Sequence, residues 1–395
     1  MLKVLRHPDF LRLFISLFIT EAGNQIYRIA IMSWTYNYTK SPILTAGVMV
    51  AQMTASVVIG PLLAPLADSY ERRGLLVLSE ASSALVVVLL PLFLMHSIWG
   101  ILLAAFAVGS LERLGNPVIM AILPEIVDKD DLDAANSLLL LPQRTLEFVF
   151  LGLAGVLVAT LGPQTAFWID AVSFALSALV LLGLRRLPAH GEPQGGYWEQ
   201  VLEGVRFLWD NPTARFVVGV LAPAASFGAV EMAVAVVLAK DVLAAGNATT
   251  GTIYYGLLDA SMAVGALLGL FAVPLIMRNF PRKVVFLGSL ALFGIFEALA
   301  GVSGWIVWAM LFFALSGIVN QLFIVPARVM LQESSAPETR ARLFGAWGAA
   351  MSLAMLVGIS LGGVLAELAG PSMAFVIAGA GVFAVAALAW LGGRS

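Results

Sequence analysis

Ionisable side chains are sparse in this chain, and many of them interrupt long apolar runs. They are Glu21 and Arg28, Glu112 and Arg113, Arg144 and Glu147, then Asp170, Glu231, Asp259, Glu297 and Arg328. A charge at bilayer depth is costly unless it is paired or wet, so each of these positions is a candidate for function. Carboxyls in such places can load and release protons; guanidinium groups can hold anions or exchange carboxylate partners. Arg144 and Glu147 are spaced i,i+3 and share one helical face. They form either a static bridge or a switch, in which substrate or Arg113 competes for Arg144 and Glu147 then takes a proton. Glu21 and Asn24 have the same spacing and lie on one face. Glu112 and Arg113 are adjacent and point about 100° apart. One is therefore expected to face a cavity and the other a neighbouring helix, with Arg113 toward the cavity.

Other chemistries are poorly supplied. The chain has no cysteine, and its histidines, His7, His96 and His190, fall outside apolar runs or at their ends. Nucleophilic thiols, disulfides and thiolate or histidine metal centres are not expected, so the chain is not read as an enzyme. A membrane-embedded enzyme would be left with carboxylate chemistry alone, and a sensor would want a soluble signalling extension. No Gly-x-x-x-x-Gly-Lys-Ser/Thr loop occurs, which excludes ATP drive from this chain. No cofactor or metal is expected. The net charge of −2 gives no pull toward nucleic acid.

The elements that must position these groups are membrane helices. Hydrophobic residues make up 60% of the chain and charged ones 12%, with mean hydropathy +0.95. Soluble domains carry about twice that share of charge, so lipid is the solvent. A spanning helix needs about 20 mostly apolar residues. Segments near 10–37, 42–67, 74–95, 98–122, 132–158, 164–186, 213–239, 250–277, 283–302, 305–331, 341–366 and 371–392 satisfy that. Their apolar runs are continuous rather than alternating, which requires helices and not barrel strands. Lys and Arg crowd one set of connections (Arg72, Arg73, Lys129, Arg185, Arg186, Arg278, Arg282, Lys283, Arg340, Arg342), while the other set holds only Lys40 and Lys240. The positive-inside rule then puts both termini in the cytoplasm of a multi-pass inner-membrane protein. Trp34, Tyr36, Tyr38, Trp99, Trp168, Tyr254, Tyr255 and Trp305 fall where an outer aromatic belt is expected.

The chain is expected to divide into an N-terminal six-helix bundle (1–186), a linker (187–212) and a C-terminal six-helix bundle (213–395). The linker carries an amphipathic helix with Tyr197, Trp198, Val201, Leu202, Val205, Leu208 and Trp209 on one face, lying on the membrane or packed on the bundle. The halves repeat. Leu123, Glu125, Gly155, Gly162, Pro163, Ala166 and Phe167 recur as Leu331, Glu333, Gly363, Gly370, Pro371, Ala374 and Phe375. His7-Pro8 matches Asn211-Pro212, and Arg72-Arg73 matches Arg282-Lys283. Duplicated sets of spans are how many secondary transporters are built.

Six spans plus six, with a charged turn after the second and eighth, resemble the major facilitator superfamily. Ala64-Pro-Leu-Ala-Asp68-Ser-Tyr-Glu-Arg72-Arg73 is similar to that family's signature turn at Asp68, Arg72 and Arg73, and departs from it at Ala64, Ser69 and Glu71. Leu123-Pro124-Glu125 through Asp128 to Asp133 and Ala134-Ala135-Asn136-Ser137-Leu138 resembles the branch of macrolide efflux proteins and enterobactin exporters. The resemblance implies an all-α fold of twelve transmembrane helices in two pseudo-symmetric six-helix bundles, working by alternating access. It further implies a proton-coupled exporter of amphipathic small molecules, drug-like or siderophore-like, driven by the proton gradient. The alternative is a proton-independent facilitator or lipid transporter, because the stretch from Phe148 through Phe150 and Gly152 to Gly155 keeps its glycines but lacks the proline that antiporters often carry there. In this family spans 1, 4, 7 and 10 line the cavity. The resemblance therefore places Asn24, Arg113, Arg144, Asn320 and Gln321 as polar or substrate-binding groups. Glu21, Glu147, Glu231 and Asp259 become proton-coupling candidates. Asp68, Arg72, Arg73, Arg282 and Lys283 become gating turns. Asp170 and Glu297 are left structural, near the outer interface. Expected partners are an amphipathic substrate and the bilayer, with no obligate protein partner.

Overall fold

The computed structural model describes residues 2–55, 59, 70–128, 135, 138–139, 142, 146, 150, 152–186, 206, 209–335 and 337–392. Twelve helices follow one another in it. The first six are α1 (Pro8–Thr39), α2 (Pro42–Thr54), α3 (Arg72–Leu92), α4 (Ile98–Ile126), α5 (Leu153–Leu161) and α6 (Pro163–Leu182). The second six are α7 (Pro212–Leu243), α8 (Ala248–Met277), α9 (Arg282–Gly301), α10 (Ile306–Glu333), α11 (Pro337–Ala369) and α12 (Pro371–Gly392). Among the described residues nine of these are long and apolar enough to cross a bilayer. The chain is an all-α membrane protein of two six-helix bundles. Its compact units are residues 1–39 with 48–194, and 40–47 with 195–395.

Helix starts are written into the sequence. Glu71 accepts a hydrogen bond from the Gly74 N–H at 2.8 Å, Asn211 from Ala214 at 3.0 Å and Asn247 from Thr250 at 2.9 Å, each satisfying an otherwise orphaned first-turn donor. Pro212 follows its cap at the first helical position, where its missing N–H costs nothing. The repeated Gly-Pro turn is explained by backbone geometry. Gly162 and Gly370 both sit at φ +82°, with open space around them, and α6 and α12 start at the prolines that follow. The glycines are there for the left-handed conformation, not for room.

In the first unit α1 packs along α6, and α3 along α6 and α4, around Phe10, Leu13, Leu76, Val118, Ile122 and Leu181. In the second unit α8 packs along α10, and α9 along α10 and α12. Small residues let these backbones meet: a Cβ at Gly265 would lie 1.9 Å from the Ala314 carbonyl oxygen, and one at Gly294 2.4 Å from that of Gly379.

Two expectations need correction. Lys240 is not in a loop. It belongs to a π-helical last turn of α7 (Leu238–Leu243) and is 2% exposed, in a space left by Gly251. The wider turn re-aims the side chain inward. The aromatic belt is also split. Trp99, Trp305, Tyr38 and Trp168 are exposed as expected, but Tyr36 and Tyr255 are buried in helix contacts. The amphipathic segment of the linker lies outside the described residues.

Candidate functional site

Each unit encloses its own cavity, and the two differ in chemistry. The first unit's cavity holds about 400 Å³ and is walled by Glu21 and Asn24 from α1, Glu80 from α3, and Glu112 and Arg113 from α4. Leucines and Ile119 close the rest. Three carboxyls and one guanidinium therefore line the same cavity. Thr20 donates to Glu80 at 2.7 Å, and Gln25 donates to Glu21 at 2.6 Å while accepting from Arg28 at 3.1 Å. Glu112 faces Arg113 and Asn24, and the Asn24 carbonyl oxygen is buried with no hydrogen-bond partner. Behind this wall α1 and α6 touch at Gly23, where a Cβ would lie 2.4 Å from Asp170 Oδ1. Asp170 is fully buried, accepts from the Ser173 hydroxyl and has an unpartnered Oδ2; the nearby Tyr27 hydroxyl is also unpartnered.

The second unit's cavity holds about 440 Å³ and is mostly apolar. Met232, Met262, Met351 and Met355 line it with Phe293, Phe323 and Trp347. Its polar groups are Glu231 on α7 and Asn320 and Arg328 on α10. Phe293 and Phe323 meet edge to face at 5.6 Å between centroids, and the Arg328 guanidinium lies 5.6 Å from the Trp347 ring centroid. Asp259 on α8 does not line this cavity, although it is close enough to Glu231 for the two carboxyls to repel. Glu297 is 1% exposed, with both oxygens unpartnered, one turn beyond Phe293 on α9.

The structure thus brings Glu21, Asn24 and Arg113 into one cavity and Glu231 and Asn320 into another. Gln321 turns elsewhere: its Cβ lies 3.1 Å from where a Cβ on Gly269 would be, against α8. The adjacent pair Glu112 and Arg113 both reach the first cavity, contrary to the expected division. A cavity this wide spans the angle between neighbouring positions on a helix. Glu80 went unnoticed in the sequence, although a carboxylate within the third apolar span was itself the signal. Asp68, Arg144 and Glu147 lie outside the described residues.

At one end of each unit a buttress repeats. Arg72 donates to Glu125, and Arg282 donates to Glu333. These are equivalent residues of the duplication, and both glutamates stood in the repeated Leu-x-Glu. Arg73 donates to the carbonyls of Leu182 and Leu184, capping the end of α6, whereas its counterpart Lys283 lies over the Phe216 ring at 4.9 Å. In the first unit Asp9 accepts from Arg12 at 3.0 Å, and Arg185 pairs with the same carboxylate.

The description of the Major Facilitator Superfamily matches residues 13–265 and 233–394. The chain belongs to this superfamily. Among its relatives, the multidrug efflux pump Tap of Mycolicibacterium fortuitum is 27% identical over 94% of this chain and 92% of its own. The enterobactin exporter EntS of Salmonella choleraesuis is 25% identical over 97% and 91%. An MFS-type transporter of Bacillus subtilis, YfiS, is 24% identical over 91% and 87%. Superfamily members of known structure share the fold. The nucleoside transporter NupG has a TM-score of 0.75 at 14% identity, covering 97% of this chain and 98% of its own. A bacterial homologue of the lysosomal transporter Spinster, inward-facing and unoccupied, has a TM-score of 0.75 at 17% identity, covering 98% and 97%. The protein is a multi-pass membrane transporter of the major facilitator type.

Proposed function

We propose that this transporter is a proton-coupled exporter of amphipathic small molecules, working by alternating access in the inner membrane with both termini cytoplasmic. The observation that carries this reading is the concentration of Glu21, Glu80 and Glu112 with Arg113 in the lining of one cavity. Carboxyls that share one cavity wall with a cation change their proton occupancy when a neighbour moves or a ligand arrives. The apolar second cavity supplies a wall for a hydrophobic body, with Glu231 as a further proton carrier. Relatives named as an efflux pump and an enterobactin exporter support the outward direction. The Arg72–Glu125 and Arg282–Glu333 buttresses tie neighbouring helix ends together within each bundle. The test is uptake of dyes and macrolides into inside-out vesicles with the pH gradient imposed or collapsed. Coupled transport stops on collapse, and Glu21→Gln or Glu112→Gln removes that sensitivity. Transport indifferent to the gradient leaves the facilitator alternative.

A further inference from the structure

We infer that the second unit's cavity recognises amphipathic molecules by an acidic or acceptor-rich head, such as a carboxylate or phenolate, received by Arg328 and the Trp347 indole. This rests on the reading of the protein as a carrier of amphipathic molecules and narrows it to a head-group class. Arg328 lines the cavity and is exposed, and among the described residues no carboxylate bridges it; its guanidinium lies 5.6 Å from the Trp347 ring centroid. A guanidinium without a carboxylate partner offers a planar fork of N–H donors that matches a planar acceptor. Trp347 is nine-tenths buried in the same wall, and its Nε1–H has no acceptor, although buried indoles ordinarily find one. An exposed guanidinium and a buried, unpaired indole N–H therefore belong to residues of the same wall.

The one acid of the cavity is too far away to serve. Asn211 donates to the Ser334 carbonyl, so α7 starts where α10 ends. Counting residues at 1.5 Å each from that shared end puts Glu231 about 20 Å farther along the bundle than Arg328. The two ends also differ in how they can discharge. A carboxyl left without a cation can take a proton, whereas a guanidinium cannot lose one. The fixed positive charge is thus at the Arg328 end, where an acidic head can replace water around the exposed guanidinium and accept from its N–H donors. Between the ends the methionines offer flexible, polarisable side chains that adjust to ligand bodies of different shape. The volume lies within the range of about 300–1,000 Å³ seen for small-molecule pockets.

The test is equilibrium binding of labelled 2-naphthoate, 2-naphthamide and 2-naphthylmethylammonium to the purified full-length protein in nanodiscs. The three share one apolar body and differ only in head charge. Naphthoate is expected to bind at least about tenfold more tightly than the other two. Arg328→Gln should bring it down to the level of the amide and leave the amide unchanged. Arg328→Lys should keep part of the preference, because charge remains without the fork. Trp347→Phe keeps the ring, loses the N–H, and should weaken naphthoate alone. Tightest binding of the ammonium, indifference of naphthoate to Arg328→Gln, or no binding of any probe overturns the inference. Size-exclusion profiles identify a variant that fails to fold, and Arg328→Lys then carries the comparison. No gradient is imposed, so failure here leaves gradient-driven transport of other compounds standing. Gradient-independent transport with this selectivity intact would sink only the coupling.

Discussion

The two buttresses have the same residues and opposite surroundings, which gives a sharp energetic prediction. The side chains of Arg72 and Glu125 are 6% and 29% exposed; those of Arg282 and Glu333 are 43% and 57% exposed. An exposed pair gains little, because water screens it and two long side chains lose freedom, so Arg282–Glu333 should show a coupling of at most about 1 kcal/mol. Breaking a buried pair strands a charge and typically costs about 3–5 kcal/mol. The single variants should then differ. Glu125→Ala leaves the buried Arg72 guanidinium without its carboxylate, whereas Arg72→Ala leaves a glutamate that water still reaches. Glu125→Ala is therefore the more damaging. The coupling energy of the first pair should be about 2–3 kcal/mol. Double-mutant cycles on SDS unfolding of the purified protein measure both. Added salt should erode the second coupling and leave most of the first. Equal couplings, or a larger one at Arg282–Glu333, would refute the reasoning.

Other outcomes follow from packing and backbone geometry. Gly23→Ala puts a methyl carbon 2.0 Å from the Ser173 hydroxyl, so α1 and α6 must separate, and unfolding should become easier by about 1–3 kcal/mol. Gly162→Ala and Gly370→Ala meet no atom, only φ +82°, so each should cost about 1–2 kcal/mol in thermal unfolding, and by similar amounts. Glu80→Gln should weaken gradient-driven transport as strongly as Glu112→Gln, while Glu297→Gln, outside the first cavity, should leave vesicle uptake close to that of the parent. Uptake equal in all three would remove the first cavity from the coupling account.

Much of the architecture was legible because its causes are local. Continuous apolar runs, the Asn211-Pro212 start and the twice-written Gly-Pro turn fix where helices begin and end. Lys240 was misplaced because a π-turn leaves no trace in hydropathy: the chain simply continues past the apolar run. The cavities were legible only in part. Spacing along one helix puts Glu21 on the same face as Asn24, and both line the first cavity, but spacing cannot say how wide a cavity is. For that reason Glu112 and Arg113 were separated on paper and joined in the fold. Nor can it say which neighbour a helix face meets, and Gln321 turned toward α8 although it adjoins Asn320. The buttress glutamates were visible in the repeat without their partners, since pairing Arg72 with Glu125 requires the packing of α3 on α4.

Proton movement itself is the most direct test of the central claim. Purified protein in proteoliposomes holding a pH-sensitive dye would be given a transported substrate gradient and no initial pH difference. Coupled exchange predicts that substrate flowing down its gradient drives protons the opposite way, and that Glu21→Gln with Glu112→Gln abolishes the dye signal. Substrate movement at full rate with no change in internal pH would contradict the account.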